Sequence, residues 1–575
     1  MLFILAGCFE TGGSDIGVNQ EDAFISKGAN VCESDADCDS GQYCSKELNA
    51  CLSSSENLSV FSVQLTPPAD TGLLADQYSG IKYSEVFNVV ISEPVTVSGD
   101  VRKKSTGELV GGTLIARSDG QIPGTSFSHQ APVKSAKKSE AERAFTIKLT
   151  PNRVYSIFFV PEDSTIPPYT TSWSFVSNAE KDIELPPESE YTIIAGQVVT
   201  DTNDLTGIEG AKVYGFAEDG SIISSSAITD KNGYFKILYP KQKTFAPMVL
   251  KIEPTKNSSI KFPTMVYSDI QKLKDNPNIL SIDDKIIIPV GPLPPEMVVE
   301  IQVVGKVDEA LSPPPVAFAS VKMTADIGNG TVYEEFKTDK NGIFSGKLLS
   351  GRYEISVFPP ENSKYASFTM ILDLKENVED TYKYSIFAEQ RKRLDGKVTG
   401  VKQKAIEWVE VIAITSAPLI GDQSQYHSVD RVFSAVTNAD GEFSMLVDPG
   451  SYMLTFVPRP NSGYPKDSGY YIAVEEDGFV TAELHPGNLI KGKVRNSNGA
   501  SLAEVEIEFF REGLFDAEFP YAYTISGSSY LNYVLGVGSA VTDAAGDYFL
   551  VLPSYDFAKQ GSAVPELFIN PAGKK

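Results

Sequence analysis

From about residue 59 onward, apolar side chains recur at every second position in short runs, and each run is bounded by Gly, Pro, Asn or Asp. A period of two sends successive side chains to opposite faces of an extended backbone, so these runs predict half-buried β-strands joined by tight turns. No apolar period of 3.6 residues is sustained long enough to build a helical domain. Runs such as Lys285 to Val290 are short and β-branched, and none has the 18 or more apolar residues that a membrane-spanning helix needs. The body of the chain reads as all-β.

The strands recur in a fixed order. A Gly between apolar residues opens each unit: Val97-Ser-Gly99-Asp-Val101, Ile194-Ala-Gly196-Gln-Val198, Val303-Val-Gly305-Lys-Val307, Leu394-Asp-Gly396-Lys-Val398 and Ile490-Lys-Gly492-Lys-Val494. These starts lie 91 to 109 residues apart, which suits β-sandwiches of about 100 residues and far exceeds the 20 to 50 of solenoid repeats. A second alternating strand follows, clearest in Ala211-Lys-Val213, Ala319-Ser-Val321 and Val409-Glu-Val411. Then come Thr229-Asp-Lys-Asn-Gly233, Thr338-Asp-Lys-Asn-Gly342, Thr437-Asn-Ala-Asp-Gly441 and Thr542-Asp-Ala-Ala-Gly546, each leading into an aromatic strand. Here Asp or Asn caps a turn with its own side chain and Gly takes a positive φ. The units are expected to close with strands such as Gly351-Arg-Tyr353 to Val357 and Gly450-Ser-Tyr452 to Phe456, each running into Pro, which cannot donate to a ladder. Tyr155 to Val160, before Pro161, does the same in the first unit.

This order of G-x-V, A-x-V, T-D-x-x-G-x-F and G-x-Y resembles the carboxypeptidase regulatory-like domain. The resemblance implies a seven-stranded transthyretin-like sandwich, grouped with carbohydrate-binding-like folds. Copies are expected at 191–296, 297–388, 389–486 and 487–575, the last with an insertion from Glu512 to Gly538. The stretch 59–190 has a late opening strand and no clean T-D-x-x-G turn, so it is expected to be a divergent sandwich. The fold class is therefore all-β, with tandem transthyretin-like or Ig-like sandwiches behind a short disulfide-rich N-terminal segment.

Composition agrees with several packed units. Among 575 residues, 42% are apolar and 22% charged, with 45 Gly and 35 Pro, which is enough apolar material for about four domains. Fifty basic and 75 acidic side chains leave a net charge of −25. That charge repels phosphate backbones unless a basic patch is hidden locally, so no nucleic-acid partner is expected.

The start of the chain adds a location. Leu5-Ala6-Gly7-Cys8 resembles the lipobox of bacterial lipoproteins, which implies cleavage before Cys8, acylation of its thiol and a membrane held through the lipid anchor. Residues 1–8 are then expected to be a shortened signal peptide, with the basic region expected upstream of Met1. Phe9 stands where Asp retains enterobacterial lipoproteins at the inner membrane, so an outer-membrane anchor is expected by analogy. With Cys8 acylated, Cys32, Cys38, Cys44 and Cys51 remain as an even set within 9–58. Two disulfides are expected, in any of three pairings, because this segment holds too little apolar surface for a core of its own. The Cys spacing does not suit zinc. Asp35, Asp37 and Asp39 alternate like calcium ligands, but Ser40 and Lys46 stand where an EF-hand needs Gly and Glu.

The chemistry expected of the remaining residues is not catalytic. The three His, at 129, 427 and 485, sit in no H-E-x-x-H or His-x-x-Glu context, and no G-x-S-x-G elbow occurs. Acid pairs such as Glu209 and Asp219 are expected to be solvated. Asp230 with Asn232, and Asp339 with Asn341, are expected to cap turns rather than to hold calcium. No metal or cofactor is expected. Trp408 is expected to pack in the core, with sugar stacking as the alternative, and Tyr521 and Tyr523 in the insertion are the better candidates for a ligand. The expected role is that of a lipid-anchored envelope protein. Its sandwiches would stand in a semi-extended stalk with Pro-rich junctions such as Pro292-Leu-Pro-Pro295, and would serve adhesion or scaffolding toward an envelope protein or, alternatively, bind a glycan.

Overall fold

A computed structural model describes residues 32–40, 42–46, 48–53, 60–122, 125–201, 203, 205–217, 222–240, 249–267, 280–282, 285–306, 313–375, 381–415, 431–459, 462–513, 533–553 and 570–571. The chain divides into two compact units. One comprises residues 1–94, 119–127 and 391–575, and the other comprises 95–118 and 128–390.

The second unit holds three serial sandwiches, and the one opening at Glu296 displays the plan most fully. Its seven strands are Glu296–Gly305, Ser320–Ile327, Gly330–Lys337, Ile343–Leu349, Gly351–Phe358, Phe368–Leu374 and Tyr382–Ala388. The third, second, fifth and sixth form one sheet in that order, and the fourth, first and seventh form the other. The first strand runs antiparallel to the fourth and parallel to the seventh, as Ile301 opposite Phe344 and opposite Tyr384 shows. Val299, Ile301, Val303, Val321, Met323, Tyr353, Ile355 and Val357 are all buried between the sheets. Gly351–Phe358, expected to close the unit, is therefore its fifth strand, and two more follow it. The sandwich of 191–290 repeats this arrangement around Val198, Val213, Ile237 and Ile252. The one that opens at Val95 does so around Val97, Phe145, Tyr155 and Ile157.

Within this unit the sandwiches are stitched to one another. Thr264 and Thr331 exchange reciprocal backbone hydrogen bonds of 2.8 Å, the Lys261 ammonium donates to the Lys347 carbonyl at 2.7 Å, and Ser226 N–H donates to Ser164 O at 2.8 Å. The Pro292 to Pro295 junction thus runs beside direct contacts and does not act as a free spacer.

The first unit departs further from expectation. Its fourth sandwich, from Lys392 to Glu483, follows the plan, and Asn570–Pro571 adds a strand beside Gly478–Glu483. Among the described residues, the last sandwich draws four strands from its own stretch: Asn488–Asn496, Glu506–Gly513, Tyr533–Val541 and Asp547–Leu552. Its fifth, sixth and seventh places are filled by Val60–Thr66, Asp76–Lys82 and Val89–Ile91. Val63 faces Phe509, Leu65 faces Ile507, and Val89 runs parallel to Val494. Residues 60–91 therefore complete the module at the far end of the chain and do not belong to a sandwich spanning 59–190. The reason is geometric: the four local strands leave Ile507, Phe509 and Val494 without a covering layer, and Phe61, Val63, Leu65, Val89 and Ile91 supply it. Burial of each such side chain contributes about 1.5–3 kcal/mol.

Candidate functional site

The repeated T-D-x-x-G segment is where polar chemistry is concentrated, and its geometry is the same in four modules. The Thr side chain is buried at Thr229, Thr338, Thr437 and Thr542. Its Oγ1 accepts the N–H of Ala211, Ala319, Val409 or Val505 at 2.8 to 2.9 Å. The same oxygen donates to the carbonyl of Ile208, Val316, Ile406 or Leu502 at 2.6 to 2.9 Å. One hydroxyl thus satisfies two backbone groups of the turn that launches the second strand, groups that would be costly to bury unpaired.

The neighbouring Asp or Asn is engaged just as fully. Asp230 Oδ1 accepts the N–H groups of Asn232 and Tyr234, Asp339 those of Asn341 and Ile343, Asn438 those of Asp440 and Glu442, and Asp543 those of Ala545 and Asp547, all at 2.8 to 3.0 Å. The Gly that follows has φ of +74° to +78°, and a Cβ at Gly233 would lie 2.2 Å from the Val198 carbonyl oxygen. Both a left-handed backbone and a close approach require Gly here. These side chains cap turns, as the sequence implies, with two backbone donors converging on one side-chain oxygen in each.

Just before the second strand, each of these modules carries a left-handed residue: Gly210, Phe318, Trp408 or Glu504. Trp408 has φ +63°, its N–H donates to Thr437 O at 3.0 Å, and its ring is 45% exposed. The Arg459 guanidinium lies 4.5 Å from the ring centroid, a cation–π distance. The expectation of core packing is corrected: Val409, Val411 and Ala413 are buried, whereas Trp408 stands ahead of the strand Glu410–Thr415 in a left-handed turn and is exposed. Phe318, which the sequence reading passed over, is exposed in the equivalent place one module earlier. A non-Gly residue held in the left-handed region carries about 1–2 kcal/mol of strain. Tyr521 and Tyr523 lie outside the described residues, as do Cys8, His427 and Asp219.

The Cys-rich segment forms two disulfides, Cys32–Cys44 and Cys38–Cys51. All four thiols are thereby engaged, which leaves none to hold zinc. Asp35 Oδ1 accepts Cys44 N–H at 2.8 Å, and Asp37 Oδ2 accepts Glu33 and Ser34 N–H at 2.9 and 3.0 Å. Those backbone donors, Glu33 first, hold the Asp37 carboxyl below its ordinary value. The segment is docked: Cys32, Cys38 and Cys51 join the core of the fourth sandwich, and Lys402 Nζ donates to Ala36 O at 3.0 Å. Ser53 N–H donates to Gly487 O at 2.9 Å at the entrance to the last module.

Buried Asp100 accepts from Lys137 and Arg102 at 2.8 Å each and from Ala144 N–H at 3.0 Å, which anchors a loop in the module that lacks the T-D turn. His129 packs edge-on against Tyr155 with centroids 5.8 Å apart. Burial first, and then Arg153, hold it below its ordinary pKa, so the ring is neutral at physiological pH. Glu209 and His485 are exposed.

No protein-family model and no curated protein matches the chain. Among solved structures it is similar to the Bacillus anthracis TIE protein, at 12% identity over 68% of this chain and 74% of that one, with a TM-score of 0.17. It is also similar to a streptococcal ancillary pilin, at 11% identity over 52% of this chain and 99% of that one, with a TM-score of 0.21. A third is the shaft pilin SpaA of Lactobacillus rhamnosus GG, at 10% identity over 33% of this chain and 98% of that one, with a TM-score of 0.18.

Proposed function

We propose that this chain is a non-catalytic cell-envelope protein, held in a bilayer through a lipidated Cys8, whose serial sandwiches of carboxypeptidase regulatory-like type serve adhesion or scaffolding. The observation that carries this reading is the use of the recurrent polar motif. In every T-D-x-x-G turn the Thr hydroxyl and the Asp or Asn oxygen are engaged by backbone groups of their own module. The most distinctive side chains of the sequence therefore build and brace modules. The stitching of neighbouring sandwiches and the net charge of −25 suit a braced, soluble display on an exported protein. Among the described residues no helix is long and apolar enough to cross a membrane, so the anchor in this reading is acyl, and Phe9 favours the outer membrane.

The test has two parts. Expressed behind a full export signal, the chain should take up an alkyne palmitate label and pellet with membranes, and Cys8→Ser should abolish both. Cells carrying the anchored chain should then attach to other cells or to envelope fractions more than Cys8→Ser cells do. Equal attachment by the two would sink the adhesive role.

A second reading, glycan recognition, is favoured by Trp408, a strained and half-exposed ring faced by Arg459. Flat aromatic faces stack on sugar rings, and the guanidinium stacked on this one supplies hydrogen-bond donors. Retention of the full chain on a polysaccharide that falls at least ten-fold in Trp408→Ala supports this reading. Retention unchanged in Trp408→Ala, Tyr521→Ala and Tyr523→Ala removes it.

A further inference from the structure

The module at the end of the chain is completed by strands made at its beginning, and this division points to an interface between copies. The acceptor, 488–552, presents one edge of Glu506–Gly513 to Val60–Thr66 and one edge of Asn488–Asn496 to Val89–Ile91. The donor is central, because Val60–Thr66 is hydrogen-bonded on one side to Glu506–Gly513 and on the other to Asp76–Lys82. Phe61, Val63, Leu65 and Ile91 are buried at 2% exposure or less. A module without its donor would expose Ile507, Phe509, Val494 and two unpaired edges, and could not persist in water.

We propose that residues 60–91 are an exchangeable donor segment, and that the last module of one copy is completed by residues 60–91 of a second copy. Every strand pairing that closes the module is available unchanged from another identical chain, so exchange costs the change at the hinge, association entropy, and the rearrangement of the contacts that Gln77 and Ser79 make with 121–125 and that the docked Cys-rich segment makes ahead of residue 60. The hinge is Ser92-Glu93-Pro94, where the boundary between the two compact units also falls. Synthesis order favours the encounter. At about 5–20 residues per second, the donor waits about 20–80 s for its acceptor, with its apolar residues unpaired while the intervening sandwiches fold. The donor wears the pattern of a fifth strand, Phe61-Ser-Val63-Gln-Leu65-Thr-Pro67-Pro68, the counterpart of Tyr353-Glu-Ile355-Ser-Val357-Phe-Pro359-Pro360. Any copy's donor therefore presents the same apolar face to any copy's acceptor. This assembly does not depend on Cys8 or on adhesion.

The test uses the opposed pair Gln64 and Glu508. Full-length Gln64→Cys and Glu508→Cys chains, each also carrying Cys8→Ser and a different tag, are unfolded, mixed and refolded at several concentrations with their disulfides intact. A mixed covalent dimer whose linked peptides contain positions 64 and 508 is expected, with a dimer-to-monomer ratio rising about ten-fold for a ten-fold rise in concentration while dimer is the minor species. The double variant in one chain should link internally at high dilution. An internal link with no mixed dimer at any concentration overturns the proposal, and so does the absence of both links. The chain with neither substitution gives a second measurement, by light scattering after refolding. Dimer that survives dilution with residues 60–66 protected from hydrogen exchange supports exchange, and monomer at every concentration overturns it.

Discussion

Gln64 stands opposite Glu508 in an antiparallel ladder, its amide nitrogen 3.5 Å from a carboxylate oxygen, at a separation of 444 positions along the chain. A contact of such separation joins the two ends of the protein in one module, and a linear string of independent beads contains nothing like it. It also makes the stability of the last module a property of a distant segment.

Leu65→Ala tests that dependence. Leu65 is fully buried against Ile507, and truncation of such a residue costs about 2–5 kcal/mol. Hydrogen exchange should show protection falling together in 60–66 and 506–513, with 296–305 unchanged. A loss confined to 60–66 would mean that the two segments do not fold as one unit.

The Thr staple gives a second prediction. Thr437→Val leaves the Val409 N–H and the Ile406 carbonyl unpaired in the interior, at about 1–3 kcal/mol for each buried orphan. Thr437→Ser keeps the hydroxyl and loses one methyl, about 1 kcal/mol. The chain has two Trp, so in a Trp173→Phe background urea unfolding followed by Trp408 emission reports this module. Equal midpoints for the Val and Ser variants would refute the staple.

Gly441 and Gly499 separate close approach from strain. Both are left-handed, at +74° and +85°, but a Cβ at Gly441 would lie 2.4 Å from the Val398 carbonyl oxygen, whereas one at Gly499 meets nothing within 4 Å. Gly499→Ala should cost about 1–2 kcal/mol, the left-handed penalty alone. Gly441→Ala should cost clearly more, because backbone has to move. Thermal unfolding of the two variants decides it, and equal losses would contradict the geometry.

Asp100 makes the first sandwich acid-sensitive. Burial pushes its carboxyl up, but Lys137, the Ala144 N–H and Arg102 outweigh burial and leave its pKa below the ordinary 3.8. A depressed carboxyl pKa stabilises the fold above the unfolded value, and that contribution is lost as pH falls through the folded one. Against Asp100→Asn, the native chain should therefore be more stable at pH 6, and the gap should close below about pH 3.8. Emission from buried Trp173 in a Trp408→Phe background follows this module. A gap independent of pH would exclude the linkage.

Much of this was open to sequence reading because it is local. Thr, Asp and Gly at fixed offsets within five residues make a turn whatever lies elsewhere, and Val409, Val411 and Ala413 alternate because one face is buried. The exposure of Trp408 was not legible, because it follows from a left-handed turn just ahead of the strand Glu410–Thr415 and not from the alternation of Val409, Val411 and Ala413. The donor strand had a signal too, since Phe61 to Pro68 has the form of a fifth strand standing ahead of the first opening Gly. The pairing of Cys32 with Cys44 and of Cys38 with Cys51 had none, because spacing alone admits three pairings.

The amino-acid sequence by itself determined the opening strands, their spacing, the second strands and the turns that lead into the fourth, because period-two burial and turn chemistry act between near neighbours. Tertiary structure alone decided that the first strands finish the last sandwich, that the disulfide segment docks on the fourth, and that adjacent modules are stitched together. A strand edge accepts any backbone of matching pattern, so the choice among distant partners is made by which unsatisfied edges and uncovered cores meet in space.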